Sequence, residues 1–286
     1  MEPEAVSRAL AATVSVASGA GLTVNDAIVI QNSNRLAVWL VPCDVLARVA
    51  APVRRNHEVA AFELEMARGL ERADSLVGGL DSRVEPIVHV RDGFAVTYWK
   101  YYEPLPSGDI TPDEYAQALE GLHAEMRQVA VGAPHFTDRV DEAHAIVRDR
   151  SRSPELADAD RELLTNTLRS LQRAVVDRCA TEQLLHGEPH AGNLLKTANG
   201  MRFIDLETCC YGPVEFDIAH TPIEVGRRYA SADRLQLRDC RILMLAMIAA
   251  WRADRDDEFS NGREKREVLI REIRNALDHH GIDVRP

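Results

Sequence analysis

The chain has 286 residues, of which 45% are hydrophobic and 28% are charged, enough apolar material for one two-lobed enzyme or two modest domains. Its formal net charge of −11 argues against binding to the phosphate backbone of nucleic acids and is compatible with a cationic small molecule. No apolar run approaches the roughly 20 residues of a membrane span, and the acidic Glu2 and Glu4 do not fit a signal peptide, so we expect a cytoplasmic protein.

The first hundred residues are predicted to be rich in strands. Apolar residues recur at helical spacing in two segments, which predicts helices over residues 4–18 and 56–72, the second ending near residues 73–74. Strand-like runs predict an antiparallel meander followed by a hairpin, at residues 27–30, 36–41, 45–50, 85–90 and 94–101. Turn residues separate these runs, at positions 31–34, 42 and 91–93.

The remaining chain is predicted to be mostly helical. A segment with proline and glycine, residues 104–108, interrupts the strands. Helical spacing then predicts helices over residues 112–129, 137–150, 158–176, 230–252 and 262–280. We therefore predict an α+β protein with a small, strand-rich N-lobe, residues 1–102, and a larger, mostly helical C-lobe, residues 103–286. This layout suits a nucleotide bound between two lobes.

One short motif in the C-lobe carries the chemistry. An apolar run leads into a polar loop in which Glu188 and Asn193 stand five positions apart, and a predicted strand then ends at Asp205. Phosphoryl transfer needs a carboxylate that accepts the proton of the attacking hydroxyl. It also needs an amide oxygen and a second carboxylate that hold Mg²⁺ on the nucleotide phosphates. Glu188 fits the role of the base, and Asn193 and Asp205 fit the two metal roles.

This block resembles the catalytic loop of the aminoglycoside phosphotransferase family. That loop is usually written His-Gly-Asp-x-x-x-x-Asn and is followed by a strand ending in Ile-Asp. The corresponding residues here are His186, Gly187, Glu188, Asn193, Ile204 and Asp205. Residues 119–123 and 212–219 are similar to further segments of the family. The resemblance implies a bilobal protein-kinase-like fold, with ATP or GTP as donor, Mg²⁺ as metal, and a hydroxyl of a small molecule as acceptor.

Carried over position by position, the resemblance implies specific roles for five residues. Asn193 and Asp205 would be the metal ligands, and Glu188 takes the position of the catalytic aspartate. In the N-lobe, Arg48 takes the place of the lysine that pairs with the nucleotide phosphates, and Glu58 on the next helix would be its ion-pair partner. The alternative for Arg48 and Glu58 is an ordinary surface role. Glu188 and Arg48 both depart from the usual family residue.

Residues 98–102 are the candidate segment for binding the nucleotide base. Trp99, Lys100 and Tyr101 offer aromatic surface for adenine and free backbone groups for its edge. Aromatic residues at a strand end also serve plain packing, which is the alternative here. No glycine-rich phosphate loop precedes the second strand, and the polar turn at residues 32–34 is the candidate cover for the phosphates.

Histidines in the motif invite a zinc interpretation that the sequence does not favour. His186 and His190 are four residues apart, but Gly187 and Pro189 indicate a loop, whereas a zinc pair at this spacing needs a helix. We expect His186 to support the loop by hydrogen bonding. The five cysteines show neither disulfide nor metal spacing and indicate a reducing compartment.

Three residues beyond the motif have supporting roles in this interpretation. Asp217 is expected to hold the backbone of the loop, and His220 is expected to be a packing residue. Glu207 lies two positions past Asp205 and is predicted to point the same way from the strand, toward the metal or a cationic substrate. A surface role is the alternative for Glu207.

Acidic residues exceed basic ones mainly in the C-lobe, where the acceptor is expected. From residue 103 onward there are 33 acidic and 24 basic residues, against 12 and 10 before it. The leading hypothesis is an ATP-dependent O-phosphotransferase acting on an aminoglycoside or aminosugar-like compound, with antibiotic resistance as a role. Two alternatives stay open: a non-catalytic nucleotide-binding protein on the same fold, and a metabolic sugar kinase. The acceptor, the choice between ATP and GTP, and the oligomeric state are undetermined by the sequence.

Overall fold

A leading helix and a five-stranded antiparallel sheet form the start of the chain in the computed structural model, which describes residues 1–51, 54–72, 75–105, 110–257 and 259–280. The elements are α1 (Pro3–Gly19), β1 (Val24–Asn32), β2 (Leu36–Pro42), β3 (Val45–Ala50), α2 (Arg54–Gly69), β4 (His89–Arg91) and β5 (Phe94–Lys100). The strand order is β1-β2-β3-β5-β4. The predicted leading helix, meander and hairpin are confirmed.

Alternation of apolar residues explains how this sheet packs. In β2 and β3, every second side chain is buried, which is the pattern of strands with one face on a core. These side chains pack with small residues of α1 in one hydrophobic cluster that includes Ala9, Ala12, Leu36, Val38, Ala47 and Val49. Asp92 and Gly93 both have positive φ in the β4–β5 connection, as a two-residue hairpin turn requires.

Two predicted boundaries in this region differ from the structure or fall outside it. The strand predicted for residues 85–90 begins only at His89, and before it the N–H of Ile87 donates to the carbonyl of Glu85 at 2.8 Å in a local turn. The helix predicted over residues 56–72 ends earlier, at Gly69. Residues 73–74, and residues 106–108 of the predicted break, lie outside the described residues.

Helices dominate the rest of the chain, as predicted. The elements are α3 (Pro112–Met126), α4 (Phe136–Arg148), α5 (Asp158–Arg178), β6 (Gln183–Leu185), β7 (Leu194–Thr197), β8 (Gly200–Phe203), β9 (Cys210–Gly212), α6 (Val214–Ala219), α7 (Ile223–Arg228), α8 (Arg234–Trp251) and α9 (Gly262–His280). Helix α8 was predicted to start near residue 230. It starts at Arg234, because the Asp233 side chain accepts a hydrogen bond from the N–H of Gln236 and caps the helix.

The chain divides into two compact units, each built from several segments. The first unit comprises residues 1–111, 118–131 and 192–208, and the second comprises residues 112–117, 132–191 and 209–286. The sequence suggested a single boundary between residues 102 and 103. Within the described residues, no helix is long and apolar enough to cross a membrane.

Each unit contains one two-stranded sheet next to the motif. In the first unit β7 pairs with β8, and the N–H of Phe203 donates to the carbonyl of Leu76 at 2.7 Å, which attaches this hairpin to the unit. In the second unit β6 pairs with β9, and α8 contacts α4, α5, α6 and α9. The motif loop, residues 186–193, therefore begins in the second unit and ends in the first.

Candidate active site

The first unit contains a cluster of two arginines and three carboxylates, which we call the arginine–carboxylate cluster. Its members are Arg35, Arg48, Glu63, Asp205 and Glu207. Arg48 lies on β3, where the sequence placed the phosphate-pairing residue, and its side chain is 16% exposed. One of its terminal nitrogens pairs with Glu63, and the other donates to Asp205 Oδ1 at 2.8 Å.

Glu63, and not Glu58, is the ion-pair partner of Arg48. Glu63 lies on the buried face of α2 with no exposed surface, whereas Glu58 is exposed on the same helix. The predicted helix carries this partner, and Glu58 and Glu63 face different sides of it, because five positions along a helix correspond to about 140° of rotation. The second Glu63 oxygen accepts from Arg35 at 2.5 Å, so one buried carboxylate serves two arginines.

These carboxylates set the charge state of Arg48. Burial by itself lowers the pKa of Arg48, but the adjacent Glu63 and Asp205 outweigh that effect and raise it above its usual range. The guanidinium is therefore a permanent positive charge held in a fixed orientation. Both terminal nitrogens already donate to Glu63 and Asp205, and the remaining N–H groups of the guanidinium are the donors that it offers to a phosphate.

The β7–β8 hairpin brings the two predicted metal ligands next to each other along the backbone. The N–H of Ile204 donates to the carbonyl of Asn193 at 2.9 Å, directly after the strand pair Leu194 and Phe203. Asp205 follows with φ of 70°, a left-handed conformation that aspartate tolerates better than most residues. Asp205 lies two residues beyond the end of β8, not on the strand itself as predicted.

Asn193 and Asp205 offer a donor set that fits Mg²⁺. An amide and a carboxylate supply hard oxygen atoms, and Mg²⁺ commonly takes one or two protein ligands of this kind together with substrate phosphates and waters. Among the described residues, no group of three or more His, Cys, Asp or Glu side chains is arranged to hold a metal ion.

Glu207 belongs to the cluster in a way that the sequence did not predict. It lies in a 3-10 turn, Leu206–Thr208, so it does not share a strand face with Asp205. Its carboxylate pairs with Arg35, whose side chain is 9% exposed. Burial raises the pKa of Glu207 to about 7, and the negative charge of Asp205 adds to this effect.

The segment predicted to bind the nucleotide base is largely engaged within the first unit. The Trp99 ring is 6% exposed, and its indole N–H donates to Thr97 Oγ1 at 2.9 Å. The backbone N–H of Lys100 donates to Gly79, and that of Tyr101 donates to Asp44. These two N–H groups are thus engaged within the unit, that of Lys100 by the segment of residues 79–81, which runs along this edge of β5. The Tyr101 ring stacks on Trp39, with centroids 4.6 Å apart.

In the second unit, Asp217 fixes the backbone of the motif loop. Asp217 is fully buried at α6, and its two carboxylate oxygens accept from the N–H groups of His186 at 2.9 Å and Gly187 at 2.7 Å. The ring of His186 accepts from the N–H of Glu188 at 3.4 Å. The supporting roles predicted for His186 and Asp217 are confirmed.

Glu188, the candidate base, is paired with an arginine that the sequence did not single out. Arg139 on α4 donates to Glu188 Oε1 and also to the carbonyl of Gly187 at 3.2 Å. Burial by itself raises the pKa of Glu188, but the charge of Arg139 and its hydrogen bond outweigh this effect and lower the pKa below its ordinary value. Glu188 is therefore ionised at neutral pH, as a proton acceptor must be.

Two further groups complete the surroundings of the loop. Burial lowers the pKa of His220 to about 4, so this imidazole is neutral at neutral pH, and its ring packs edge-on against Phe216. The Tyr115 hydroxyl donates to the carbonyl of Pro189. The packing role predicted for His220 is confirmed.

Residues 29–267 match the model of a protein family described as the phosphotransferase enzyme family. No curated protein matches the chain in sequence. Solved structures match it over nearly its whole length. A choline/ethanolamine kinase family protein from Mesorhizobium loti is 14% identical, with a TM-score of 0.68 over 96% of this chain and 95% of that one.

Two further solved structures are similar to the same extent. An amicoumacin kinase in complex with AMP-PNP and Ca²⁺ is 11% identical, with a TM-score of 0.70 over 100% of this chain and 98% of that one. A GDP complex of an aminoglycoside 2'-phosphotransferase is 14% identical, with a TM-score of 0.64 over 96% of this chain and 97% of that one. Identities this low show the fold alone, and the predicted α+β, protein-kinase-like fold class is confirmed.

Proposed function

The chain belongs to the phosphotransferase enzyme family, and from that premise we propose that it transfers the γ-phosphoryl group of ATP to a hydroxyl of a small molecule. The family resemblance inferred from the motif loop is confirmed by this match. The observation that carries the proposed chemistry is the Arg48–Glu63 ion pair with Asp205 on the other side of the guanidinium. Kinase-type phosphoryl transfer needs such a strand-to-helix ion pair together with a metal-binding aspartate.

On the donor side, residues of the first unit bind and orient the nucleotide phosphates. Arg48 presents paired N–H donors to phosphate oxygens, and Glu63 keeps its side chain in place. Asn193 and Asp205 would hold Mg²⁺. When bound, the metal would neutralise charge on the β- and γ-phosphates. Most of the rate gain comes from this positioning and charge neutralisation, because the transition state is loose.

On the acceptor side, Glu188 accepts the proton of the attacking hydroxyl. The acceptor oxygen forms a bond to the γ-phosphorus, the bond from that phosphorus to the bridging oxygen breaks, and ADP leaves. Asp217 holds the backbone of the loop that carries Glu188, so the carboxylate starts from a fixed position. General-base catalysis of this kind contributes roughly 10²–10⁴-fold in rate.

We propose an amino-bearing acceptor, an aminoglycoside or an aminosugar-like compound. The acidic excess beyond residue 103 favours a cationic acceptor. The structural neighbours include kinases named for choline or ethanolamine, amicoumacin and aminoglycosides, which differ in the molecule that carries the hydroxyl. A resistance role and a metabolic role both fit this chemistry.

The test is acceptor-dependent nucleotide consumption by the purified protein with Mg²⁺. The panel contains aminoglycosides, choline, ethanolamine, fructosamines, amicoumacin and neutral sugars, each with ATP and with GTP. We expect ADP release above the acceptor-free rate for at least one amino-bearing compound. ADP release with neutral sugars alone would support a metabolic sugar kinase instead.

A non-catalytic nucleotide-binding protein is the second candidate. The specific observation in its favour is the Arg139–Glu188 ion pair, because an arginine lowers the basicity of the carboxylate it contacts. Calorimetric titration with ATP and Mg²⁺ separates the two candidates. Nucleotide binding without acceptor-dependent turnover across the panel would favour the non-catalytic protein.

A further inference from the structure

One guanidinium fixes the side chain of Glu188 relative to its own loop. Arg139 donates through one terminal nitrogen to Glu188 Oε1 and through the other to the carbonyl of Gly187. Both acceptors lie in the motif loop, one on a side chain and one on the backbone. The planar fork of an arginine makes two such bonds at once, which restricts the rotamer of the glutamate.

Arg139 is itself held by helices and not by the loop. It lies on α4 between the buried Phe136 and Val140, and its side chain is 15% exposed. Its guanidinium carbon lies 5.2 Å from the centre of the Trp251 ring, within the range of a cation–π contact. The position of the guanidinium is therefore set by the packing of α4 and α8.

The length of the acidic side chain decides whether this contact forms. A glutamate extends one methylene further than an aspartate, a carbon–carbon bond of about 1.5 Å. An aspartate at position 188 would fall short of Arg139 unless the loop moved, and Asp217 holds that loop through two backbone hydrogen bonds. The longer acid and the arginine are thus matched in length.

We propose that Arg139 is a positioning residue for Glu188, and that the two side chains form a matched pair in which an aspartate cannot replace the glutamate. This inference rests on the proposed function, in which Glu188 accepts the proton of the acceptor. It also accounts for the departure of this chain from the aspartate of the family motif, since the extra methylene is taken up by the contact with Arg139.

The charged groups around Glu188 determine what loss of Arg139 does. Arg139 faces it from α4, His220 from the residue after α6, and His190 from the same loop, while Asp217 faces His220. Burial raises the pKa of Glu188 and the arginine opposes this effect most strongly. Since His220 is neutral at neutral pH, removal of the arginine charge leaves burial largely unopposed and raises the pKa of Glu188.

The kinetic test compares Glu188→Asp, Arg139→Gln and Arg139→Lys with wild type, using the acceptor found in the panel. We expect Glu188→Asp and Arg139→Gln each to lower kcat by about 10²-fold, the usual effect of misplacing a reacting group by ~1 Å, with the KM for ATP within about twofold. Arg139→Lys keeps the positive charge but loses the planar fork of donors, so its kcat should lie between those of wild type and Arg139→Gln. Arg148→Gln, an exposed change on the same helix, is the control.

The pH profile provides a readout that a purely structural role would not move. In Arg139→Gln the acid limb of kcat/KM should shift to higher pH, whereas Arg148→Gln should leave it in place. A Glu188→Asp variant as active as wild type would overturn the matched pair. An unmoved acid limb in folded Arg139→Gln would overturn the positioning role. If Arg139→Gln does not fold, Arg139→Lys and Glu188→Asp decide the matter.

A titration without substrate separates this inference from the proposed function. The ¹³C carboxyl resonance of Glu188 is assigned by its loss in Glu188→Gln. Its titration should give a pKa below the ordinary glutamate pKa of about 4.3 in wild type and above it in Arg139→Gln. If the pKa of Glu188 rises in Arg139→Gln but no acceptor is phosphorylated, the Arg139–Glu188 pair is supported and the proposed function is rejected. If an acceptor is phosphorylated but the pKa of Glu188 is the same in wild type and Arg139→Gln, the proposed function is supported and the positioning role of Arg139 is rejected.

Discussion

Arg48 on β3 and Glu63 on α2 form an ion pair in which the carboxylate has no exposed surface and shares its second oxygen with Arg35. This pair fixes the guanidinium that also contacts Asp205. A candidate phosphate-binding group is therefore held by the sheet and the helix together.

Glu63→Gln should destabilise the protein because it leaves two largely buried arginines without their shared carboxylate. Removing one partner of a buried ion pair typically costs about 3–5 kcal/mol, so we expect a loss of ~3 kcal/mol in the free energy of unfolding. Urea denaturation measures it. The matched control is Glu58→Gln on the exposed face of the same helix, with an effect of at most about 1 kcal/mol. Equal effects would show that the buried pair is not what stabilises α2.

Asp205→Asn should abolish most Mg²⁺-dependent turnover, because a neutral amide neither balances Arg48 nor binds Mg²⁺ as a carboxylate does. We expect a fall in kcat of about 10²–10³-fold, the usual effect of removing one fixed group that stabilises transferring charge. Asp92→Asn makes the same chemical change at another residue with positive φ, in the exposed β4–β5 turn. It should keep wild-type activity. Wild-type rates in Asp205→Asn would remove Asp205 from the metal role.

Asp217→Ala should loosen the motif loop by leaving the buried N–H groups of His186 and Gly187 without acceptors. Each unsatisfied donor costs about 1–3 kcal/mol, so the free energy of unfolding should fall by ~3 kcal/mol and kcat should fall with it. Asp113→Ala removes an exposed ion pair with Arg228 in the same unit and should cost less than about 1 kcal/mol. Hydrogen exchange at Gly187 reports the loop directly. Unchanged protection there in the Asp217→Ala variant would contradict this assignment.

His220 should make the protein less stable in mild acid. Burial lowers the pKa of His220 to about 4 from 6.5, so between these values the unfolded chain binds more protons than the native one. The contribution of neutral His220 to the free energy of unfolding is complete above pH 6.5 and is lost as the pH falls toward 4. The total loss is about 3 kcal/mol, since one pKa unit corresponds to about 1.4 kcal/mol.

Unfolding free energies from pH 7 to pH 4 test this, compared with His220→Gln, which does not titrate. Between pH 7 and pH 4, wild type should lose most of those ~3 kcal/mol in unfolding free energy relative to His220→Gln. His57→Gln, a change at an exposed histidine of α2, should run parallel to wild type. A parallel course for His220→Gln as well would contradict the assignment.

Local chemistry made much of the fold predictable. Turn residues such as Asp92 and Gly93, alternating strands, and helical periodicity predicted the meander, the hairpin and five of the helices after residue 111. The motif loop and the residues Glu188, Asn193 and Asp205 followed from the chemistry of phosphoryl transfer. Errors at the ends of elements came from local side-chain hydrogen bonds that periodicity does not reveal, such as the helix cap at Asp233.

An ion pair between Arg48 and helix α2 was implied by the family resemblance, but local patterns could not identify Glu63 or the Arg139–Glu188 pair, because these residues are far apart in sequence. One signal was present, however. Glu63 lies three and four positions from the buried Ala60 and Ala67, and Arg139 lies three and four from the buried Phe136 and Ala143. Each is a charged residue next to buried apolar positions of an amphipathic helix, a location that is costly unless a partner is available.

Phosphoryl transfer by Glu188→Gln, measured by ³¹P NMR alongside nucleotide affinity, tests most directly whether Glu188 is the general base of a phosphotransferase. With the acceptor found in the panel, wild type should produce a new phosphate monoester. The variant should bind nucleotide as wild type does and lose about 10²–10⁴-fold in rate, the contribution of a general base. Glu162→Gln, an exposed change on α5, should behave as wild type. A Glu188→Gln variant that forms the monoester at the wild-type rate would show that Glu188 is not the general base.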